Sequence, residues 1–349
     1  MCSYVIELKS LLLSGRGIRI DAAVPDDYIS VSRSGPSVIK RSFFIDVDGH
    51  TIKATSDHNS DIILTSMNGD YYLVTPDRKQ IPVKFIRPLG HCPGTLYITV
   101  YPRCDLNCLF CNVGASGSIR SIDALIRIVN NYQALKPKSF SLTSGFTYSG
   151  EEIEVLLGFI EWLRCTYSDR DIGVSIYPRS KREIEKIYDL GACEFKLNVE
   201  VADRNLFRKL CPHKNYEYIH NMLKFAVELF GEGYVSSNII VGFGEKPGGV
   251  YDEIDRLVKI GVVPIIRPLV VDKGNKNRLK NAVGIERSNI TPDQLIKYSV
   301  YVRDRLKEHG IFYSRKTMCG ACGACDLLEE IQNQSSEEQE VEMHEYRYI

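Results

Sequence analysis

Cys104, Cys108 and Cys111, in the run CDLNCLFC, place three thiols at Cys-x3-Cys-x2-Cys spacing on one short stretch. Thiolates are the protein ligands of iron–sulfur clusters. Three of them this close suit three corners of a cuboidal cluster and leave its fourth iron open to chemistry. A structural zinc knuckle is the alternative reading of the same thiols, although zinc sites usually pair Cys-x2-Cys units at a distance. A chance group of buried thiols is the other, since free cysteine is among the most buried residue types. A second group follows near the end, MCGACGAC, with Cys319, Cys322 and Cys325 at Cys-x2-Cys-x2-Cys spacing. That matches the first three ligands of the ferredoxin run Cys-x2-Cys-x2-Cys-x3-Cys, with Glu329 in the fourth slot. An auxiliary [4Fe–4S] cluster is expected there, with zinc as its rival. Cys92, Cys211, a non-cysteine side chain or a bound substrate are open as its fourth ligand, and Cys2, Cys165 and Cys193 read as inert.

Other polar residues sit where a site needs them. In FKLNVEV, alternation puts Leu197 and Val199 on one face and Asn198 and Glu200 on the other, so the polar pair lines either a lumen or solvent. Arg267 interrupts the apolar run GVVPIIRPLVVD, where a charge is costly unless paired, so a structural ion pair and an anion-binding role are the two readings. Arg103, next to Cys104, is placed to favour its thiolate, an ordinary solvated arginine being the alternative reading.

Elements must hold these residues. Short apolar runs near 95–101, 139–145, 172–177, 194–200, 235–241 and 262–270 read as strands. They alternate with amphipathic helices near 120–135, 150–165, 181–190, 216–230 and 249–260, the pattern of a parallel sheet covered by helices. Six such units suggest an α/β fold, a partial (β/α)6 TIM-like barrel, with Cys104 just after the first strand at the mouth where such folds place their chemistry. A further helix is expected over 292–309, opened by Thr291, Pro292 and Gln294 as a capping box and closed at Gly310. Before the barrel, residues 38–90 alternate apolar and polar positions around Asp48-Gly49 and Asn68-Gly69, which are hairpin turns. The expected divisions are an N-terminal β-rich module over 1–91, a barrel over 92–310, an auxiliary-cluster segment over 311–330 and a disordered acidic tail over 331–349.

The 349 residues carry 44 basic and 44 acidic side chains, so no net field draws nucleic acid or an anionic membrane. No basic region precedes the first apolar patch and no run is long enough to span a bilayer. A cytoplasmic, oxygen-poor setting is expected, because clustered thiols in a reducing compartment point to metal rather than disulfides.

The three-cysteine run, with Phe110 before its last cysteine, resembles the signature of the radical S-adenosylmethionine (SAM) superfamily. Together with the Gly-rich loop VGFGE and the C-terminal CGACGAC, it resembles the biotin synthase-related branch, including nitrilase-associated and archaeal radical SAM proteins. The resemblance covers about residues 92–326. It implies a [4Fe–4S] cluster on Cys104, Cys108 and Cys111 that binds SAM at its open iron and cleaves it reductively to a 5'-deoxyadenosyl radical for C–H activation. Thr143-Ser144-Gly145 stands where the family carries a Gly-Gly-Glu-like motif, so Ser144 and Gly145 would meet the methionyl amino group. Asn198 and Glu200 resemble an Asn-x-Asp pair that contacts SAM or substrate. Ile240 and Val241 precede Gly242, Gly244 and Glu245 and would pack adenine, while Arg267 would hold a carboxylate of SAM or substrate. The implied partners are a small-molecule, lipoyl-like or protein-bound substrate and a reductant such as ferredoxin or flavodoxin. Sulfur insertion is the leading product-forming step, with oxidation or rearrangement, the second cluster acting as anchor or relay, as the alternative. A non-catalytic two-cluster electron-transfer or metal-binding protein is the rival from another class.

Overall fold

The computed structural model describes residues 3–15, 17–31, 41–113 and 117–333. It opens with helix α1 (Ser3–Leu13), and a β module follows: β1 (Arg19–Ile20), β2 (Ile29–Val31), β3 (Arg41–Val47), β4 (His50–Thr55), β5 (Ile63–Met67), β6 (Asp70–Val74) and β7 (Gln80–Ile86). The expected hairpins are present, β3 pairing with β4 and β5 with β6, both antiparallel. Their turns put Asp48 and Gly49 at φ 51° and 82°, and Asn68 and Gly69 at 54° and 91°. Positive φ at both central residues suits the twist of the flanking strands. The module extends further upstream than alternation indicates. β1 pairs with β5 and β2 with β3, and α1 lays Val5, Leu8 and Leu12 on the same core as Phe43, Ile45 and Leu73.

The second half alternates strand and helix: β8 (Thr95–Thr99), α2 (Ile122–Tyr132), β9 (Ser139–Thr143), α3 (Glu151–Thr166), β10 (Asp171–Ser175), α4 (Lys181–Asp189), β11 (Glu194–Lys196), α5 (Arg204–Leu210), α6 (Tyr216–Phe230), β12 (Val235–Val241), α7 (Pro247–Lys259) and β13 (Val263–Pro268). Among the described residues these six strands form one parallel sheet in sequential order, β8 to β13, a curled partial barrel. One face of each strand is apolar. Ile98, Leu142, Val174 and Phe195 join the helices in the main core. The opposite face carries Tyr97, Thr99, Thr143, Ser175, Asn238 and Arg267, which line the lumen.

Further helices follow: α8 (Lys276–Val283), α9 (Pro292–Glu308) and α10 (Met318–Cys322). α9 begins with the expected capping box between Thr291 and Gln294, and Gly310 follows it at φ 66°. The C-terminal segment then turns back under the barrel. Buried Glu194 at the start of β11 accepts from the Lys316 and Thr317 amides at 3.0 and 2.9 Å and from the Ser314 and Thr317 hydroxyls, while the Met318 amide donates to Ser141 Oγ at 2.8 Å. Of the tail expected from 331, residues 331–333 are ordered. Residues 328–333 are helical, because Leu328 and Ile331 bury against the barrel core; residues 334–349 lie outside the described residues.

Candidate functional site

The loop after β8 is tied down at both ends by backbone. Val100 N donates to Thr143 O, Gly145 N to Tyr101 O and Asp105 N to Phe146 O, each at 2.8 Å, so the end of β9 carries the cysteine loop. Across the mouth, Leu109 N donates to Leu210 O at 2.8 Å. The loop's exit is clamped by Asn275 Nδ2 on Phe110 O at 2.9 Å and by Arg278 Nη2 on Cys111 O at 2.8 Å. Phe110 is buried against Phe243, ring centroids 5.9 Å apart.

Cys104, Cys108 and Cys111 converge on one cavity of about 280 Å³ that runs down the lumen. The donor set fits an iron–sulfur cluster. The Phe146 amide points at Cys104 Sγ at 3.4 Å and the Val113 amide at Cys111 Sγ at 3.5 Å, donors that stabilise thiolate sulfur. Burial pushes the Cys111 thiol up to about 12, so it becomes a thiolate only beside strong positive charge, which a metal centre supplies.

Of the residues singled out from the sequence, Ser144, Gly145, Asn198, Glu200, Ile240, Arg267 and Cys319 all line this cavity. Their partners revise several expected roles. A Cβ on Gly145 would lie 1.6 Å from Arg103 O, so this glycine lets β9 touch the cysteine loop. Arg103 pairs with Asp105 at 3.2 Å and is half-exposed, so its charge is directed away from Cys104. Val241 is fully buried and absent from the lining, because alternation along β12 turns it to the helix side while Ile240 faces inward. Glu245 accepts from the Gly242 and Phe243 amides at 2.7 Å and so fixes its own loop. Arg267 faces the auxiliary cysteines: Cys325 and Cys319 are its leading charge partners, and Nη1 is buried without a hydrogen bond.

Asn198 Oδ1 accepts from Asn238 N at 3.1 Å, and Asn238 Oδ1 is a buried acceptor left without a partner in the lumen. Glu200, at φ 70°, accepts from Lys214 Nζ at 3.1 Å; both side chains are nearly enclosed, at 13% and 8% exposure. Lys214 comes from the loop between α5 and α6, with no motif to announce it. Its buried ammonium, held above its ordinary pKa by Glu200 and the nearby Cys108, is the main positive charge beside the cysteine loop. Lys53 and His91 also line the cavity, from the β module and from the segment after it, where nothing in the local sequence marks them.

Residues 98–257 match the family model described as Radical SAM superfamily. No curated protein matches the chain. Among solved structures, methylornithine synthase (PylB) aligns at 15% identity over 68% of this chain and 69% of that one, with a TM-score of 0.51. A radical SAM methyltransferase from Sphaerobacter thermophilus aligns at 15% identity over 76% and 81%, TM-score 0.49. The [FeFe]-hydrogenase maturase HydG aligns at 14% identity with TM-score 0.46, the chain spanning 66% of its length. At these identities the likeness is one of fold. The family match, in contrast, begins inside β8 and takes in the three-cysteine loop, so the barrel of this chain contains a radical SAM superfamily domain.

Proposed function

We propose that the chain is a radical SAM enzyme of the biotin synthase-related kind that activates a C–H bond of a small-molecule or protein-bound substrate inside the lumen. The observation that carries this reading is the convergence of Cys104, Cys108 and Cys111 on a cavity of mixed polar and apolar lining at the C-terminal end of the parallel strands. When bound there, a [4Fe–4S] cluster with SAM supplies one-electron cleavage of the sulfonium carbon–sulfur bond, giving methionine and a carbon radical able to take hydrogen from an unactivated carbon.

The chain's own residues bind, orient and exclude. Lys214, braced by Glu200, offers a buried ammonium beside Cys108 for a carboxylate. Asn238 offers an unpartnered carbonyl oxygen for an amine or hydroxyl. Ile240 gives an apolar surface, and Phe110 packed on Phe243 seals the wall, which keeps water from the reacting carbon. Cys319 reaches the same cavity from the opposite end, which supports a product-forming step that draws on a second sulfur site, with sulfur insertion as the leading form.

Anaerobic reconstitution with iron, sulfide, dithionite and SAM tests the reading. 5'-Deoxyadenosine and methionine are expected; a reconstituted, reduced protein that leaves SAM intact would overturn it.

A further inference from the structure

The floor of the lumen is built from parts far apart in sequence. Cys92 lies just before β8, buried in a small cluster with Phe44 of β3 and Ala324, against which Ile86, Cys322 and Cys325 pack. Its thiol reaches Thr95 O at 3.5 Å. Cys319 completes the group from α10. The two other candidates for a fourth ligand are taken elsewhere. Cys211 is buried beside Cys108 at the opposite end of the barrel, and Glu329 turns outward to Arg315 at 3.4 Å.

The charges around this group are the second observation. Lys196 Nζ, buried on β11, points at Cys319 Sγ at 3.4 Å. Arg267 has Cys325 and Cys319 as near neighbours and keeps Nη1 buried with no acceptor. Lys53 lines the same space, and its amide donates to Ala324 O at 3.0 Å. Asp326, buried nearby, is a carboxylate that bears on Arg267. Buried cations facing neutral thiols are poorly compensated, whereas four thiolates around a cluster make a net anion that three cations match.

We infer that Cys92, Cys319, Cys322 and Cys325 form a complete four-cysteine site for a second cuboidal iron–sulfur cluster, set in a socket of Lys53, Lys196 and Arg267 and fronting the lumen through Cys319. All four irons are then held by protein, so this centre has no open iron with which to anchor a substrate. The inference deepens the enzyme reading by closing its second centre, but the ligand set stands independently of SAM chemistry.

The test removes the first centre so that only the second can load. A full-length chain carrying Cys104→Ala, Cys108→Ala and Cys111→Ala is reconstituted anaerobically with ferrous iron, sulfide and zinc offered together. About four irons and four sulfides per chain are expected. Adding Cys92→Ala should lower iron to about three or fewer per chain, the count of a cluster that has lost one ligated corner. The volume-conserving Cys92→Ser should shift the electron paramagnetic resonance of the reduced cluster, and it decides the matter if the alanine variant fails to fold. Cys211→Ala in the same background should change neither. Uptake of one zinc without iron, or iron content and resonance unchanged in both Cys92 variants, would overturn the inference. Failure of the wild type to cleave SAM, with the triple variant still holding four irons, would sink the enzyme reading and leave this one standing.

Discussion

A Cβ placed on Gly173 would lie 2.0 Å from Thr317 Oγ1, so β10 and the C-terminal segment meet where there is no space for a methyl group. Gly173→Ala must therefore push Thr317, and with it Cys319, away from the lumen. Overpacking of this kind costs about 1–3 kcal/mol. The expected outcome is a lower unfolding midpoint and loss of iron from the second centre, with SAM cleavage at the first retained. Unchanged iron content and stability would mean that the segment shifts without consequence.

The first centre has its own close contact. Replacing Cys104, Cys108 and Cys111 by alanine should remove about four irons and abolish 5'-deoxyadenosine. Gly145→Ala, which drives a methyl group into Arg103 O, should reproduce much of that loss with all three thiols still present. Iron counting and nucleoside analysis check both; SAM cleavage by the triple variant would refute the assignment.

Glu200→Gln leaves Lys214 buried without its counter-charge. Losing a charged hydrogen-bond partner costs about 1.5–3 kcal/mol, a roughly tenfold or greater weakening if Lys214 positions SAM or substrate. The SAM dissociation constant and 5'-deoxyadenosine rate of Glu200→Gln and Asn198→Ala are the measurements, with thermal stability as control. Values within about twofold of wild type in both variants would reduce the pair to scaffolding.

Lys9 is fully buried and spans from α1 to the C-terminal segment, donating to Gly323 O at 2.7 Å and to Glu330 Oε1 at 2.6 Å. Lys9→Met should destabilise the protein by about 3–5 kcal/mol, the usual cost of stripping one partner from a buried pair. Chemical denaturation measures it, and Lys9→Met with Glu330→Gln should recover part of the loss.

The strands were legible because their chemistry is local. All six barrel strands start within one residue of their expected positions, and β12 matches at both ends, since a buried parallel strand is a short apolar run between turns. β11 ends at Lys196, short of the expected 200, because side chains take the next ladder bonds, Val199 N donating to Ser237 Oγ and Asn238 N to Asn198 Oδ1, before Glu200 pairs with Ile239 again. Helix α1 escaped notice for the opposite reason: it is covered on several sides, so its residues, Lys9 included, show no clean polar face. The two cysteine groups could be read from spacing. What surrounds them could not, because Cys92, Lys53, Lys196 and Lys214 reach their sulfur neighbours only through tertiary packing.

The Lys9–Glu330 pair also sets a schedule. Its members are separated by 321 residues, and synthesis proceeds at about 5–20 residues per second, so Lys9 emerges roughly tens of seconds before its partner exists. During that interval α1 and the β module must hold an ammonium that has nothing to neutralise it, and the contact that seats α10 against them is missing. Maturation of the lumen floor is thereby postponed until translation has passed Glu330, so that it takes place on a nearly finished polypeptide.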